Sequence, residues 1–393
     1  RGGDLAVAAG RARRGHGAGS GLSVWLDGPA PARRVPLEGD ATADVAIVGG
    51  GIAGLSVAYA LARAGARPIV LERDALGGAA SGRNGGFILA GVAESFSAAC
   101  RRFGLRTAER VWDVTVRNRE LIRDAVRRHG IECDLAWNGS VQLAGDDDEW
   151  RDIRASAEAL EARGVGVALD GPGRCAVYEE DGEMHPVRFV RGLADAAERL
   201  GARIHEGTAV RRIRADGAVT DHGTVSAGAV VSCTNAYTDH LIAGARIAPV
   251  RGQMLATAPV AERIFPRPVY AHRGYRYWRQ TRDGRILVGG WRNTAVDVEV
   301  GEVALPTPRI QQKLDGFLVE QGVRAEVTHR WAGIMGFSHD GLPYIGRRSS
   351  GVYLLAGFTG HGNAFAMAGG EMVATLIRTG SHPDADLFDP ERP

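Results

Sequence analysis

The chain has 393 residues, of which 45% are hydrophobic and 24% are charged, and its formal net charge is +2. This profile is ordinary for a globular protein of about two to three domains, and the small net charge argues against a nucleic-acid partner or an acidic membrane surface. No Cys-x-x-Cys pair occurs among Cys100, Cys133, Cys175 and Cys233. We therefore predict no metal site and no disulfide framework, and we expect a reducing, cytoplasmic compartment.

The first 20 residues combine a short apolar piece, LAVAA, with a basic run that follows it. A secretory signal has the opposite order, with the basic residues first. We interpret residues 1–40 as an N-terminal leader or arm, flexible or trimmed at its start. A basic arm that binds nucleic acid is the alternative.

Residues 45–62 read VAIVGGGIAGLSVAYALA and contain no charge. The run is long enough to suggest a membrane span. However, a β-branched strand at 45–48 precedes its glycines, helical spacing follows them, and a second strand is predicted at 68–71. A span also leaves Glu72 and Arg73 unexplained, so we predict a βαβ unit of about 30 residues.

The glycines of this unit have the spacing Gly49-x-Gly51-x-x-Gly54, the dinucleotide fingerprint. Gly49 permits the tight turn, Gly51 admits the pyrophosphate, and Gly54 lets helix and strand pack closely. The helix N-terminus supplies donors, and Glu72 at the end of the second strand is placed to accept ribose hydroxyls. The sequence therefore predicts dinucleotide binding.

The rest of the chain alternates helical and strand-like segments. Helices are predicted at 105–129, 148–163, 186–200 and 308–322, and strands within 202–234 and 246–300. Residues 352–377 again show a strand, a glycine loop and a helix. We therefore predict an FAD-binding domain built from 41–95, 185–236 and 330–393, and a substrate domain built from 96–184 and 237–329.

Two more glycine loops favour FAD over NAD. The loop GGAASGRNGG spans 77–86, and Gly360-His361-Gly362 opens the last helix. A long, extended cofactor needs backbone donors beyond its pyrophosphate. A second helix N-terminus can also stabilise the negative charge of a reduced flavin.

These stretches resemble the D-amino-acid oxidase, glycine oxidase and sarcosine oxidase superfamily of FAD enzymes, and within it the gamma-glutamylputrescine oxidase group. The stretches, in family order, are SVWLD (23–27), DVAIVGGGIAGLS (44–56), ASGRNGG (80–86), MHP (184–186), CTNAYT (233–238), DGRILVGG (283–290), GIMGFSHDGLPYIG (333–346) and GFTGHG (357–362). The resemblance implies an α/β fold: a discontinuous, glutathione-reductase-like (Rossmann-type) FAD domain with an inserted α+β substrate domain on a mixed sheet.

Cofactor-binding residues are predicted in the fingerprint, in both glycine loops and in the segments that the resemblance places beside them. The set is Gly49, Gly51, Ile52, Ala53, Gly54, Glu72, Arg73, Ala80, Ser81, Arg83, Asn84, Gly85, Gly86, Val210, Thr234, Asn235, Gly333, Gly336, Gly357, Thr359, Gly360, His361 and Gly362.

The sequence departs from the sarcosine oxidases at three positions. Their flavin-tethering cysteine aligns near Gly333, which implies non-covalent FAD here. Their lysine for reaction with oxygen aligns with Leu287, and their substrate-binding lysine with Ala364. Lys313, the one lysine of the chain, lies in a predicted outer helix. The resemblance therefore leaves the acceptor open between oxygen and another molecule.

Three residues are candidates for positioning the substrate. Arg279 could hold a carboxylate or be a solvated charge, Trp291 could wall the site or belong to the core, and His361 could act in catalysis or pack on the cofactor. Arg83 is expected to touch cofactor or substrate, and Arg292 follows Trp291 in the same region. No metal site is predicted.

The expected reaction is FAD-dependent oxidation of a C–N bond in a small amine or amino-acid-like substrate. Hydride passes to flavin N5, and the imine hydrolyses to a carbonyl. Oxygen or another electron acceptor then reoxidises the flavin. The alternatives are a dehydrogenase with a non-oxygen acceptor, a tailoring enzyme for an unusual amine, and a non-catalytic flavin-binding protein. A flavin hydroxylase is disfavoured because its late Gly-Asp pair is missing.

Overall fold

The computed structural model describes residues 21–28 and 32–393, so residues 1–20 and 29–31 of the predicted leader or arm at 1–40 lie outside the described residues. The helices are α1 Ile52–Arg63, α2 Phe96–Phe103, α3 Leu105–His129, α4 Asp147–Glu161, α5 Pro186–Arg199, α6 Pro308–Glu320 and α7 Gly362–Thr379. The first eleven strands are β1 Ala41–Val48, β2 Pro68–Leu71, β3 Phe87–Ile88, β4 Ser140–Leu143, β5 Val167–Asp170, β6 Cys175–Tyr178, β7 Gly182–Glu183, β8 Arg203–His205, β9 Val210–Arg214, β10 Gly217–Thr220 and β11 Gly223–Ser232. The remaining strands are β12 Ile247–Pro259, β13 Val269–Ala271, β14 Arg276–Gln280, β15 Arg285–Gly290, β16 Val327–Ser338, β17 Tyr344–Arg347 and β18 Tyr353–Ala356.

The first of two large sheets has the order β17-β18-β11-β1-β2-β8, with β10 and β9 attached to β11. Its central strands are parallel: β1 pairs with β2 and β11, β2 with β8, and β11 with β18. All four residues of β2 are buried, as expected for a parallel strand covered on both faces. This parallel sheet with its helices confirms the predicted α/β class.

The second sheet has the order β16-β12-β15-β14-β13-β4-β6-β5. It is mixed, because β13 and β4 are parallel while its other neighbours are antiparallel. Strand β16 pairs with β12 along almost its whole length. Residues 330–338, which our domain division placed in the FAD-binding domain, thus hydrogen-bond within the second sheet. The division itself stays a prediction.

Helix ends follow the capping residues that the sequence offers. Helix α3 spans 105–129 as predicted, and Gly130 closes it in the left-handed conformation with φ 61°. Asp146 caps α4 by accepting the Glu149 N–H at 2.7 Å, and Pro186 occupies the first turn of α5. Helix α2 and strands β4, β5 and β6 were not predicted.

Helices α1 and α7 pack directly against each other beside the first sheet. A Cβ at Gly370 of α7 would lie 2.6 Å from the carbonyl carbon of Ser56 in α1, so only glycine fits this crossing. Helix α1 is 12 residues long, and no described helix is long and apolar enough to cross a membrane. Residues 45–62 form the end of β1, the glycine turn and most of α1, as the βαβ prediction requires.

Candidate cofactor and substrate site

A cavity of about 900 Å³ lies between the two sheets. The N-termini of α1 and α7 open into it from the first sheet, and residues of β12–β16 form its opposite wall. The 77–86 loop lies between these walls. The strand ends and helix N-termini of a doubly wound sheet are where such folds bind ligands.

The fingerprint forms a close-fitting turn at the first wall. Gly49 has φ 108°, and a Cβ there would lie 2.8 Å from the Cys233 carbonyl oxygen. The Ile52 N–H donates to Ser81 Oγ at 2.9 Å, which ties the second glycine loop to α1. The N–H group of Ala53, which lines the cavity, has no partner among the described residues. Such a free N–H at a helix N-terminus is a donor for a bound anion.

Glu72 is held beside the fingerprint and lines the cavity. Its carboxylate accepts the Gly50 N–H at 2.6 Å and the Asp74 N–H at 2.8 Å. Burial raises the pKa of Glu72, and the two N–H groups oppose that shift. Because these bonds fix the carboxylate, it is oriented to accept further hydrogen bonds from a ribose.

The 77–86 loop is fastened from its far side. Carbonyl oxygens of Gly82, Arg83 and Asn84 accept hydrogen bonds from Ser23 Oγ, Trp331 Nε1 and Trp25 Nε1 respectively. The Asn84 amide also accepts the Gly86 N–H at 2.7 Å, within the loop.

Arg83 is held in place by backbone. Its guanidinium donates to the carbonyls of Gly78, Gly21 and Ala332, and burial lowers its pKa. Its hydrogen bonds therefore hold loop segments together at the cavity wall.

Helix α7 presents a second N-terminus to the cavity. The N–H groups of Gly360, Gly362 and Asn363 have no partner within the described residues. Asn118 of α3 braces this end, donating to the Asn363 carbonyl at 2.8 Å and accepting the Met367 N–H at 2.9 Å. Sequence reasoning missed Asn118, since a polar residue within an amphipathic helix carries no signal of its partner.

His361 lies at the N-terminus of α7 and contacts the second sheet. Its Nε2 is 3.3 Å from Tyr270 Oη, and its Nδ1 is 3.3 Å from the Thr359 carbonyl oxygen. Burial lowers the pKa of His361, so the imidazole is neutral at neutral pH. A neutral ring can exchange hydrogen bonds with an uncharged amine.

The cavity wall formed by the second sheet is aromatic and includes an arginine that has no acidic partner among the described residues. Tyr270, Tyr275, Tyr277 and Phe337 line it, together with Arg292. The Arg292 guanidinium lies 5.3 Å from the ring centre of Tyr275 and 5.0 Å from that of Phe337. It has no acidic partner among the described residues, so it can bind an anionic group of a ligand.

Two of the three predicted substrate residues do not line the cavity. Arg279 is 3% exposed, lies 3.3 Å from Glu183 and donates to the carbonyls of Gly86 and Met184. The 77–86 loop thus covers it. Trp291 is buried against Phe317 in the second sheet's core. Its neighbour Arg292 faces the cavity instead.

Most predicted cofactor residues line this one cavity. The three that do not are Gly54, Gly336 and Gly357. A Cβ at Gly54 would collide with the Gly49 carbonyl, and one at Gly336 would lie 2.5 Å from Asn235 Oδ1. Gly357 donates its N–H to the same Asn235 oxygen. These glycines permit close packing behind the wall.

Leu287, Lys313 and the cysteines bear on the electron acceptor and on a covalent bond to the flavin. Leu287 is fully buried in a cluster with Trp25 and Trp331 and does not line the cavity. The missing lysine at this position is thus no argument about oxygen. Lys313 is exposed on α6. Cys233 lines the cavity beside Gly49, and the other three cysteines do not line it.

These features fit a dinucleotide with an extended second half. Unpaired N–H groups at two helix N-termini suit a pyrophosphate and an electron-rich ring edge, and Glu72 suits a ribose. The aromatic wall leaves room for a planar ring system and a small substrate. Among the described residues there is no cluster that could hold a metal ion.

Comparisons with known proteins agree with this geometry. The family model for FAD dependent oxidoreductases, DAO, matches residues 44–376. Gamma-glutamylputrescine oxidoreductase of Escherichia coli (strain K12) is 30% identical over 377 residues, which cover 88% of this chain and 85% of that protein. Glycine oxidase of Geobacillus kaustophilus (strain HTA426) is 29% identical over 373 residues, which cover 85% of this chain and 92% of that protein. A crystal structure of glycine oxidase from Geobacillus kaustophilus gives a TM-score of 0.76 at 24% identity, covering 90% of this chain and 99% of that chain. The L-proline dehydrogenase structure from P. horikoshii gives a TM-score of 0.77 at 25% identity, covering 91% of this chain and 98% of that chain.

Proposed function

The chain belongs to the FAD-dependent oxidoreductase family, and from this premise we propose that it oxidises the C–N bond of a small amine that carries an anionic group. FAD is its cofactor, and the names of its relatives point to amine and amino-acid substrates. The observation that supports an anionic group in the substrate is Arg292, a cavity-lining cation without an acidic partner in the described part of the chain.

The residues around Arg292 suit such a substrate. Stacking on Tyr275 and Phe337 fixes the guanidinium plane while leaving its N–H groups free for a carboxylate. The free guanidinium could bind the carboxylate of an amino acid. It could equally bind the carboxylate of a glutamyl amide, the kind of compound in the name of the relative from Escherichia coli. A second anchor is the Tyr277 hydroxyl, which has no partner among the described residues.

The amine end would lie near the Tyr270–His361 pair. His361 is neutral because burial lowers its pKa, so it does not repel an amine and can accept an N–H. Bound FAD supplies the two-electron acceptor that takes hydride from the carbon next to nitrogen. The amine N–H proton is lost as the C=N bond forms, and water then gives the carbonyl and a free amine. The chain's own contribution is position and desolvation.

We keep both oxygen and another carrier as candidate acceptors. Leu287 is buried outside the cavity and Lys313 is exposed on α6, so neither position favours one acceptor over the other. All four cysteines are free thiols, which supports our proposal of a reducing, cytoplasmic compartment.

The proposal is tested by mixing the FAD-loaded protein anaerobically with a panel of amines and following the flavin absorbance. We expect bleaching by amines that carry a carboxylate. Failure of every amine and imino acid in a broad panel to bleach the flavin would contradict it. Peroxide formation in air, compared with reduction of an artificial dye, then separates oxidase from dehydrogenase.

A substitution of Arg292 tests whether this residue binds the carboxylate of the substrate. Arg292→Leu should lower kcat/KM for carboxylate-bearing amines by roughly 10- to 100-fold, since it removes a hydrogen bond to a charged group. Amines without a carboxylate should lose little. Arg276→Leu is the matched control, because Arg276 also stacks on an aromatic ring, that of Trp291, but does not line the cavity. Equal losses for both substrate classes would exclude Arg292 as the anion site.

A further inference from the structure

Two tryptophan side chains hold successive peptide groups of the 77–86 loop in one orientation. Trp331 Nε1 donates to the Arg83 carbonyl at 3.0 Å, and Trp25 Nε1 donates to the Asn84 carbonyl at 2.6 Å. The indoles come from distant parts of the chain, yet both belong to one buried cluster with Leu287. Both carbonyls therefore point into the same cluster, away from the cavity.

The N–H groups of these peptides must point the other way. In a trans peptide the carbonyl and the following N–H are directed oppositely, and no cis peptide occurs in the described residues. The N–H groups concerned belong to Asn84 and Gly85, and both residues line the cavity. Neither N–H has a hydrogen-bond partner within the described ranges. They form a pair of adjacent, uncommitted donors, the arrangement that binds negative charge in backbone nests.

The position of the pair indicates which part of FAD it meets. The pyrophosphate belongs at the α1 N-terminus and the adenosine ribose at Glu72. The other half of FAD must therefore extend toward the second sheet. Gly85 lies against Phe87 and Tyr277, and a Cβ at Gly333 of β16 would be 2.9 Å from Arg83 Cβ. The donor pair is thus at the isoalloxazine end.

We propose that Trp25 and Trp331 are positioning residues which aim the Asn84 and Gly85 N–H groups at the acceptor edge of the isoalloxazine and thereby raise its reduction potential. Reduction adds negative charge to that ring system, and fixed donors stabilise this charge more than they stabilise the oxidised form. The inference rests on FAD binding and not on the identity of the amine. It gives the SVWLD segment at 23–27 a role, through Trp25, in the redox chemistry of the site.

The test is the reduction potential of the bound FAD in Trp25→Phe and Trp331→Phe, measured anaerobically against reference dyes. Phenylalanine keeps an aromatic ring in the cluster and removes only the donor that holds each carbonyl. We expect each variant to shift the reduction equilibrium about tenfold toward oxidised FAD, which corresponds to about 30 mV for a two-electron couple. The affinity for sulfite, which adds to an electron-poor flavin, should fall in the same variants.

Two controls distinguish the loss of the indole hydrogen bond from other effects of the substitutions. Trp112→Phe makes the same change at a buried tryptophan whose Nε1 has no partner, so its potential should match the unaltered protein. Ser23→Ala removes the donor to the Gly82 carbonyl, but the Arg83 N–H of that peptide already bonds to the Ala80 carbonyl. It should therefore also leave the potential unchanged. Unshifted potentials in both indole variants would overturn the proposal, and so would an equal shift in Trp112→Phe.

A measurement on the unaltered protein applies even if the variants fail to fold. Hydrogen exchange of the peptide covering 80–87 should slow when FAD is added to the apoprotein, because the two free N–H groups gain acceptors. Unchanged exchange there would contradict the proposal. None of these readouts uses an amine, so a failed amine panel and a failed potential shift are distinguishable results.

Discussion

His185 shows how a single side chain ties local structure to pH. Its Nδ1 accepts the Arg188 N–H and so caps α5, and its ring packs on Trp25 at 4.9 Å between centroids. Burial, and after it the nearby Arg188, lowers the pKa of His185 to about 4. Protonation would both remove the acceptor and place a positive charge at a helix N-terminus.

This lowered pKa predicts a stability loss in acid. A group whose folded pKa lies below its unfolded value contributes stability above the unfolded pKa, near 6.5, and loses it as the pH falls toward 4. The loss is on the order of 3 kcal/mol by pH 4. His185→Asn keeps a good capping residue that does not titrate.

Denaturant unfolding at several pH values measures the effect. The free energy of unfolding of the unaltered protein should fall relative to that of His185→Asn between pH 6.5 and pH 4, and should run parallel to it above pH 7. His222→Asn is the control, since His222 is exposed. Parallel curves for the protein and His185→Asn throughout would show that His185 does not titrate in this way.

The substrate-side residues illustrate what sequence can and cannot place. Strand alternation puts Tyr277 and Arg279 on the same face of β14, and Gly85 and Gly86 of the loop contact them in turn. The loop crosses over Arg279 and covers it, which no spacing reveals. Trp291 has φ 59° after Gly290, and this turn sends Trp291 into the core while Arg292 faces the cavity.

At the scale of elements, the site depends on how α1 and α7 cross. Both helices direct their N-termini at the cavity, and they meet where Gly370 faces Ser56. A Cβ at Gly370 would be 2.7 Å from Ser56 Cβ and 2.8 Å from the Val57 N atom. Backbone atoms cannot swing aside as a side-chain tip can, so the helices would have to separate.

Gly370→Ala should therefore lower the free energy of unfolding by about 1–3 kcal/mol and weaken FAD binding. Helix propensity alone predicts the opposite sign, a gain of about 0.5–1 kcal/mol. Gly316→Ala in α6 is the matched control, because a Cβ there meets no atom within 4 Å and only propensity acts. Thermal unfolding and FAD titration of both variants decide the point: stabilisation of both would mean that the crossing tolerates a methyl group.

Elements with local signals were predictable and those without were not. Helices α3 and α4 and the fingerprint βαβ unit have periodicity, caps or glycine spacing in the sequence itself. Helix α2, Phe96–Phe103, has only eight residues, too few for a clear helical periodicity. Strands β4, β5 and β6 have four residues each and pair with one another and with β13 across the sequence. Such short strands are defined by their partners.

At the scale of the whole molecule, the cavity is shared between the two sheets. Glu72 and Val210 line it from the first sheet, and Tyr277 and Gly333 line it from the second. A ligand that fills the cavity must contact both. FAD is long enough to do so, whereas ADP reproduces only the half that meets the fingerprint and Glu72.

FAD should therefore stabilise the protein more than ADP does at equal concentration. Binding to the folded state alone adds about 2.7 kcal/mol when the ligand is at 100 times its Kd, and the extra contacts of the isoalloxazine give FAD the lower Kd. Thermal unfolding of the apoprotein with neither ligand, with ADP and with FAD measures this order. In hydrogen exchange, ADP should protect residues 49–54 only, while FAD should also protect β12 and β16. Protection of β12 and β16 by ADP, or equal thermal shifts for the two ligands, would mean that the second sheet does not hold the flavin half.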